Sequence, residues 1–273
     1  MPGNEGQNPS GIKLHFPTRH RQARGDHDTV TERFTRACLT PERTAIVACD
    51  LWNAHWCRSA NSRMQELAPR VDHFLSSARN QGMLILHSPS GTLEQYNDHP
   101  ARQKVLALAN PSPMPARDTW YERNPEREPP LPIDASDGGC PCTPACTPRK
   151  VFTRQSEAVV IDSTDMISTN ELEIQAIFDR LAIERVLILG VHLNMCMLGR
   201  SFGIRRWVEL GRDILLVRDL TDVIYNPKSY PHVTLDRALS LTIAHVEACL
   251  CPSVSSTDIL RAMSVTSLSC PVD

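Results

Sequence analysis

The sequence predicts an α/β fold, a three-layer sandwich with a central parallel sheet flanked by helices. Short apolar runs, such as residues 44–49 and 185–191, have the length and composition of strands that are buried on both faces. Segments whose apolar residues recur at helical spacing separate these runs. This alternation is typical of βαβ units, in which successive strands lie parallel.

The first half of the pattern starts with a strand over residues 44–50, which ends in Asp50. A helix is predicted to begin at Pro69, because proline is favoured at the first helical position, and to end at Gly82. Its apolar residues lie three and four positions apart, at Val71, Phe74, Leu75 and Ala78. Two short elements follow, a strand over residues 83–87 and a helix over residues 100–108.

The second half begins with two short segments predicted as strands, residues 150–153 and 158–161. Ser168 and Glu171 have the spacing of a capping box, which predicts the start of a helix. The sequence RVLILGV at 185–191 is the clearest buried strand of the chain. The remaining predicted elements are a helix over 196–210 with Gly211 as its C-cap, a strand over 213–217 and a helix over 235–249.

Two segments depart from this alternation. Residues 1–41 are polar, with little periodic apolar content, and are predicted to form an irregular N-terminal extension. Residues 110–148 hold ten of the 21 prolines, a density that excludes helix interiors and central strands. We therefore expect one domain over residues 42–265 that carries a proline- and cysteine-rich insertion at 110–148.

Charge and composition exclude several classes of function. The 29 basic and 31 acidic residues give a net charge of −2, which argues against a nucleic-acid partner. No apolar stretch approaches the ~20 residues of a membrane span, and no secretion signal is visible. We expect a cytoplasmic protein, a homo-oligomer, that acts on a small molecule without a membrane or nucleic-acid partner.

Chemistry is expected at the carboxyl ends of the strands, where open parallel sheets bind their ligands. Asp50, His87 and Arg154 follow predicted strands there, and Cys196 follows the strand 185–191 at the start of a helix. The N–H groups of a helix start favour the thiolate form of a cysteine. With Asp50 as proton acceptor on an adjacent strand, Cys196 has the surroundings of a nucleophile. No phosphate-binding glycine motif occurs.

The segment ILGVHLNMCMLGRSF, together with the upstream strand that ends in Asp50, resembles the isochorismatase-like cysteine hydrolases. That family includes nicotinamidases, carbamoylsarcosine amidases and ureidoacrylate amidohydrolases, and the resemblance extends over residues 44–251. It implies an Asp–Lys–Cys triad with Asp50 and Cys196 at the first and third positions. It also implies a cis peptide between Val191 and His192, with the N–H groups of His192 and Cys196 as the oxyanion hole.

The sequence departs from the family at the lysine of the triad. The best-placed residue is Arg154, while Lys150 lies at the start of its predicted strand. Arginine can hold the charged forms of Asp50 and Cys196 but cannot give up a proton. We predict Arg154 as the cation of the triad; the alternatives are a plain surface or ion-pair role for Arg154 and Lys150 in its place.

The pocket is also expected to differ from that of the family. Trp52 and His55 stand where the family has Gln and Phe, so we expect a pocket lined by Trp52, His55, Trp56 and His87. A structural role is the alternative for His87, and core packing is the alternative for the tryptophans. The nicotinamidase metal motif Asp-x-His is absent from residues 87–92, so no metal is expected at that place.

The insertion contains a second candidate site. Cys140, Cys142 and Cys146 are three soft ligands, and a zinc site would need a fourth, either Cys57 or a histidine. A redox-sensitive loop, a local disulfide and a loop without special chemistry are the alternatives.

The predicted function is cleavage of a C–N bond in a small amide-like substrate through a thioester on Cys196, with no cofactor required. The alternative is a non-catalytic binding or scaffold protein of the same fold, in which the cysteine-rich loop binds a metal or responds to redox state. The absence of the lysine favours this alternative.

Overall fold

In a computed structural model, which describes residues 12–23, 30–109 and 119–265, the strands form one sheet flanked by helices on both faces. The described strands are β1 (Leu14–Ala23), β2 (Val30–Leu39), β3 (Thr44–Cys49), β4 (Leu84–Ser88), β5 (Met166–Ile167), β6 (Arg185–Gly190), β7 (Asp213–Thr221) and β8 (Ser253–Val254). Their order across the sheet is β2-β1-β8-β7-β6-β3-β4-β5. All neighbours from β8 to β5 pair in parallel, as the sequence predicts.

The described helices are α1 (Arg58–Asn80), α2 (Pro100–Leu108), α3 (Glu171–Arg180), α4 (Cys196–Gly199), α5 (Ile204–Glu209), α6 (Leu235–Cys249) and α7 (Ser256–Ser264). Among the described residues, no helix combines the length and the apolar character that crossing a bilayer requires.

Strand β3 shows how the sheet separates two apolar cores. All six of its residues are buried, and their side chains alternate between the two faces, as in any strand. Val47 belongs to the core under α3, α5 and α6, which includes Phe178 and Trp207. Ile46 belongs to the core under α1 and α7, which includes Phe74. This division produces the three layers.

The prediction of an irregular extension over residues 1–41 is wrong for its described part. β1 and β2 form an antiparallel hairpin, and β1 also pairs with β8, so the hairpin extends the sheet at one edge. Glu247 of α6, whose side chain is buried, fixes the hairpin through hydrogen bonds of 2.8 Å from Arg19 and Arg21. Residues 1–11 and 24–29 lie outside the described residues.

Three helices differ from the prediction, two in where they begin and one in its continuity. α1 begins at Arg58, so Pro69 lies inside it rather than at its first position. The N-cap of α3 is Asn170, whose side chain accepts a hydrogen bond from Leu172 N–H, and not Ser168. The predicted helix 196–210 is interrupted between α4 and α5, where a Cβ on Gly203 would lie 2.7 Å from the Met197 carbonyl oxygen.

The chain between α2 and β5 has no regular strand or helix in its described part, residues 119–165. The predicted strands 150–153 and 158–161 are therefore wrong, and only Gln155 makes an isolated bridge, to Trp52. The insertion is held against α4 by the hydrogen bond of 2.7 Å from Tyr121 N–H to the Gly199 carbonyl. Residues 110–118 of the insertion lie outside the described residues.

Candidate active site

The site lies where three neighbouring strands end. β3 lies between β4 and β6, so the chain segments that follow these strands converge at the carboxyl edge of the sheet. Gly190 allows the ends of β3 and β6 to approach closely, because a Cβ there would lie 2.0 Å from the Cys49 carbonyl oxygen. Asp50 turns the chain after β3 with a φ of 51°, a left-handed conformation that a residue other than glycine adopts rarely.

Asp50 is fully buried and asymmetrically bonded. Its Oδ1 accepts hydrogen bonds from the backbone N–H and the hydroxyl of Ser90, at 2.7 and 2.6 Å. Its Oδ2 accepts no hydrogen bond of ordinary geometry from the described residues and lies 3.7 Å from Nε of Arg200. Burial raises the pKa of the carboxyl group, although Arg200 and Ser90 oppose the shift. One oxygen is thus held in place, and the other is left to take a proton.

Cys196 is the first residue of α4, and its thiol lies beside the Asp50 carboxylate. Burial raises the pKa of the thiol well above its usual value, and the negative charge of Asp50 adds to this, while Arg200 lowers it. The expectation of a thiolate at the helix start is therefore not met, because α4 has only four residues and cannot offset burial and a neighbouring carboxylate. The thiol is therefore protonated at neutral pH, next to the Asp50 carboxyl group.

The cation of the site is Arg200, and the prediction of Arg154 is wrong. Arg200 follows α4, and its own N–H donates to the Cys196 carbonyl at 3.0 Å. Its guanidinium lies 5.8 Å from the centre of the Trp120 ring, so the insertion also contacts the cation. The sequence signal that could have identified it is the spacing of four residues from Cys196, which places both on one side of a helical turn.

Arg154 and Lys150 lie elsewhere. The Arg154 side chain is 55% exposed and pairs with Glu157, three residues further along the chain. Lys150 donates through Nζ to the Gly91 carbonyl at 2.6 Å. Both residues belong to an irregular segment where a strand was predicted. No strand therefore places their side chains at the carboxyl edge of the sheet.

The segment between β6 and α4 offers two N–H groups. The peptide bond between Val191 and His192 is cis. The carbonyl of His192 accepts hydrogen bonds from the N–H groups of Met195 and Met197, at 3.0 and 3.2 Å. Within the described part of the chain, the N–H groups of His192 and Cys196 donate to no acceptor. An oxyanion hole is built from unpaired N–H donors of this kind.

Two of the four predicted pocket residues are structural. His87 is fully buried between Gln155 and Asp165, with ring-nitrogen distances of 3.1 and 3.0 Å. Trp52 is 5% exposed, donates to the Ser90 carbonyl at 3.0 Å and stacks on Phe152. Their polar atoms are bonded within the protein, which favours the structural role for His87 and the core packing for Trp52 over a place in the pocket.

Of the other two predicted pocket residues, His55 lies next to the site and Trp56 does not. The ring of His55 meets the ring of His192 edge to face at a centroid distance of 5.0 Å. Burial lowers the pKa of His55 and lowers that of His192 well below its usual value, so both rings are neutral at pH 7. Trp56 packs instead on a separate cluster of four cysteines: Cys57, Cys140, Cys142 and Cys146.

Comparison with known proteins identifies the fold. No profile of a known protein family matches the chain, and no curated protein matches its sequence. A cysteine hydrolase from Pseudomonas syringae pv. phaseolicola 1448A is similar in structure, with a TM-score of 0.52 and 12% identity over 83% of this chain and 94% of that chain. An isochorismatase from Pseudomonas putida KT2440 has a TM-score of 0.48 and 9% sequence identity, over 80% of this chain and 91% of that chain. The chain thus shares the fold of the Pseudomonas syringae cysteine hydrolase, an α/β fold with a central, mostly parallel sheet, which is the fold class that the sequence predicts.

Proposed function

We propose that this protein is a cysteine hydrolase that cleaves a C–N bond of a small amide-like substrate through a thioester on Cys196. The observation that carries the proposal is the placement of one thiol, one buried carboxylate and one guanidinium at the carboxyl edge of the sheet. A nucleophile, its base and a charge that stabilises both are the parts that covalent acyl transfer needs.

In the first half of the reaction, Oδ2 of Asp50 takes the thiol proton while the sulfur of Cys196 attacks the carbonyl carbon of the substrate. The N–H groups of His192 and Cys196 donate to the oxygen that becomes negative. Asp50 then passes its proton to the leaving nitrogen, and the C–N bond breaks. Because the pKa of Asp50 is raised, its carboxylate is a stronger base toward the thiol than that of an ordinary aspartate, and its carboxyl group holds the proton until the leaving nitrogen takes it.

In the second half, Asp50 removes a proton from water, and the hydroxide attacks the thioester carbon. The C–S bond breaks, the acid leaves, and the proton on Asp50 returns to the sulfur. Arg200 keeps its charge throughout and stabilises the carboxylate whenever Asp50 is ionised. The non-catalytic alternative was favoured by the absence of a lysine, and the guanidinium of Arg200, 3.7 Å from Asp50, supports the catalytic account instead.

The test is a screen for hydrolysis of primary amides, N-carbamoyl compounds and ureido compounds, with matched variants. We expect wild type to release amine or ammonia from one of these classes, Cys196→Ala to release none, and Cys249→Ala to equal wild type. Acid-quenched turnover should leave the acyl group on the peptide that contains Cys196, detected by mass spectrometry. Hydrolysis that persists in Cys196→Ala would contradict the proposal.

A further inference from the structure

We propose that Cys57, Cys140, Cys142 and Cys146 bind one structural zinc ion. The four residues are free cysteines, and their sulfur atoms all lie within 4.8 Å of one another. Three of them come from the insertion, and the fourth is the N-cap residue of α1. The zinc site shares no residue with the site proposed for catalysis, so the two proposals can be tested independently.

The separation of the sulfurs fits a tetrahedral ion. Zinc–sulfur bonds are about 2.3 Å long, so four sulfurs at the corners of a tetrahedron lie about 3.8 Å from one another. The Sγ atoms of Cys57 and Cys142 lie 3.9 Å apart. A disulfide would bring two of the sulfurs to about 2.05 Å, so these two are not joined by one, and their spacing fits a shared central ion. A tetrahedron of four thiolates is typical of zinc and of iron, and closed sets of four cysteines are common among structural zinc sites.

Backbone donors prepare the sulfurs for negative charge. The N–H of Arg58 donates to Sγ of Cys146, and the N–H of Ser59 donates to Sγ of Cys142, both at 3.4 Å. These are the first two N–H groups of α1, so the positive end of a helix of 23 residues faces the cluster. Hydrogen bonds to ligand atoms orient them and stabilise the charge that the metal requires.

The surroundings hold the cluster in place. Cys57 and Cys140 are buried, and Trp56 packs against them. The guanidinium of Arg58 donates to the Pro144 carbonyl at 3.0 Å, which fixes the loop between the second and third cysteines of the insertion. All four ligands come from the protein and leave no open position for water, which indicates a structural site rather than a catalytic one.

The zinc ion would tie the insertion to the segment that connects β3 to α1. This segment runs from Asp50 through His55 to Cys57, so its far end would be fixed at the metal. The free energy of binding a structural zinc ion adds to the free energy of folding, so the ion can stabilise an insertion that has no regular structure in its described part. The ion would thus hold in position the stretch that also brings Trp120 over Arg200.

The test measures metal in the full-length chain purified without chelator. We expect about one zinc ion per chain, less than a tenth of that in the double variant Cys142→Ser/Cys146→Ser, and full occupancy in Cys249→Ser. Cys196→Ala should also keep its zinc, which separates this proposal from the catalytic one. Cobalt substitution should give the strong visible absorption of a tetrahedral tetrathiolate.

A conservative variant covers the case in which the double variant does not fold. Cys146→His offers a nitrogen ligand, so it should bind cobalt with an absorption shifted toward that of three sulfurs and one nitrogen. The proposal is overturned if the reduced wild-type chain binds neither zinc nor cobalt stoichiometrically. Iron in place of zinc, disulfides among the four cysteines, or zinc that persists in the double variant would overturn it as well.

Discussion

Nε of Arg200 lies 3.7 Å from Oδ2 of Asp50. Arg200 directly follows α4, the helix that begins with Cys196. The proposed nucleophile and the positive charge beside its base are therefore carried by the same helical turn. Any movement of α4 would shift both groups together relative to Asp50. In the proposed mechanism, Arg200 takes the place of the lysine that the resemblance implies at a separate strand end.

Replacing Arg200 should therefore affect hydrolysis far more than replacing Arg154. Arg200→Met removes the charge next to Oδ2, and we expect kcat/KM to fall on the order of 10²–10³. Arg200→Lys restores the charge and should lose less. Arg154→Ala, at an exposed ion pair, should be indistinguishable from wild type. Equal losses in Arg154→Ala and Arg200→Met would show that the cation has been misassigned.

The pH dependence of turnover should respond to Ser90. Its hydrogen bonds lower the pKa of Asp50 against the larger effect of burial, so Ser90→Ala should raise that pKa further. Because Asp50 must be ionised to take the thiol proton, the acid limb of kcat/KM against pH should move to higher pH. A charge-assisted bond of about 1.5–3 kcal/mol corresponds to a shift of about one to two pH units. The control is Ser88→Ala, because the hydroxyl of Ser88 donates to the Ser168 carbonyl and not to Asp50. This variant should leave the acid limb where it is in wild type.

Asp165 should matter for stability and not for chemistry. Burial works against its charge, but hydrogen bonds from His87 and Arg79 lower its pKa from 3.8 to about 2. Removing one partner of such a buried pair by Asp165→Asn should cost about 3–5 kcal/mol of unfolding free energy at pH 7. A carboxyl group whose pKa is lower in the folded than in the unfolded state stabilises the fold at pH values above the unfolded pKa. The difference in unfolding free energy between wild type and Asp165→Asn should therefore shrink as the pH falls from about 4 toward 2. Urea denaturation at several pH values measures it.

Glu128 should hold the insertion to the helices. Burial opposes its charge, yet hydrogen bonds from His245 and Arg205 lower its pKa to about 2. Both Nε and Nη2 of Arg205 donate to it at 2.8 Å. Glu128→Gln should therefore speed proteolysis within residues 119–150 at neutral pH. If cleavage were equally slow in both proteins, other contacts would be sufficient to hold this segment.

Sequence patterns were enough to place Asp50 and Cys196. Each follows a run of residues apolar enough to be buried on both faces, and parallel strands bring their carboxyl ends to one edge. Arg200 follows no strand, and its role depends on how a four-residue helix ends. A continuous helix over 196–210 still placed it one turn from Cys196, so the spacing was available as a signal.

The hairpin of β1 and β2 shows what the pattern could not reveal. β1 buries Leu14, Phe16 and Thr18 on one face, but His15 and Pro17 stand between them, and arginine and histidine side chains follow at residues 19–21. β2 is the edge strand of the sheet, and its described side chains from Thr31 to Arg36 are exposed, so it has no apolar face to detect. The paired backbone and the ion pairs to Glu247 stabilise this region, and neither is visible as periodicity.

The most direct test of the account is the rate at which iodoacetamide alkylates Cys196 as a function of pH, read on its peptide by mass spectrometry. Burial and the charge of Asp50 raise the pKa of the thiol, so wild type should react slowly at neutral pH and faster only at alkaline pH. Asp50→Asn removes that charge, so its alkylation should rise at lower pH while its turnover falls at least about 10². An alkylation profile unchanged by Asp50→Asn would contradict the claim that this carboxylate and this thiol act as one pair.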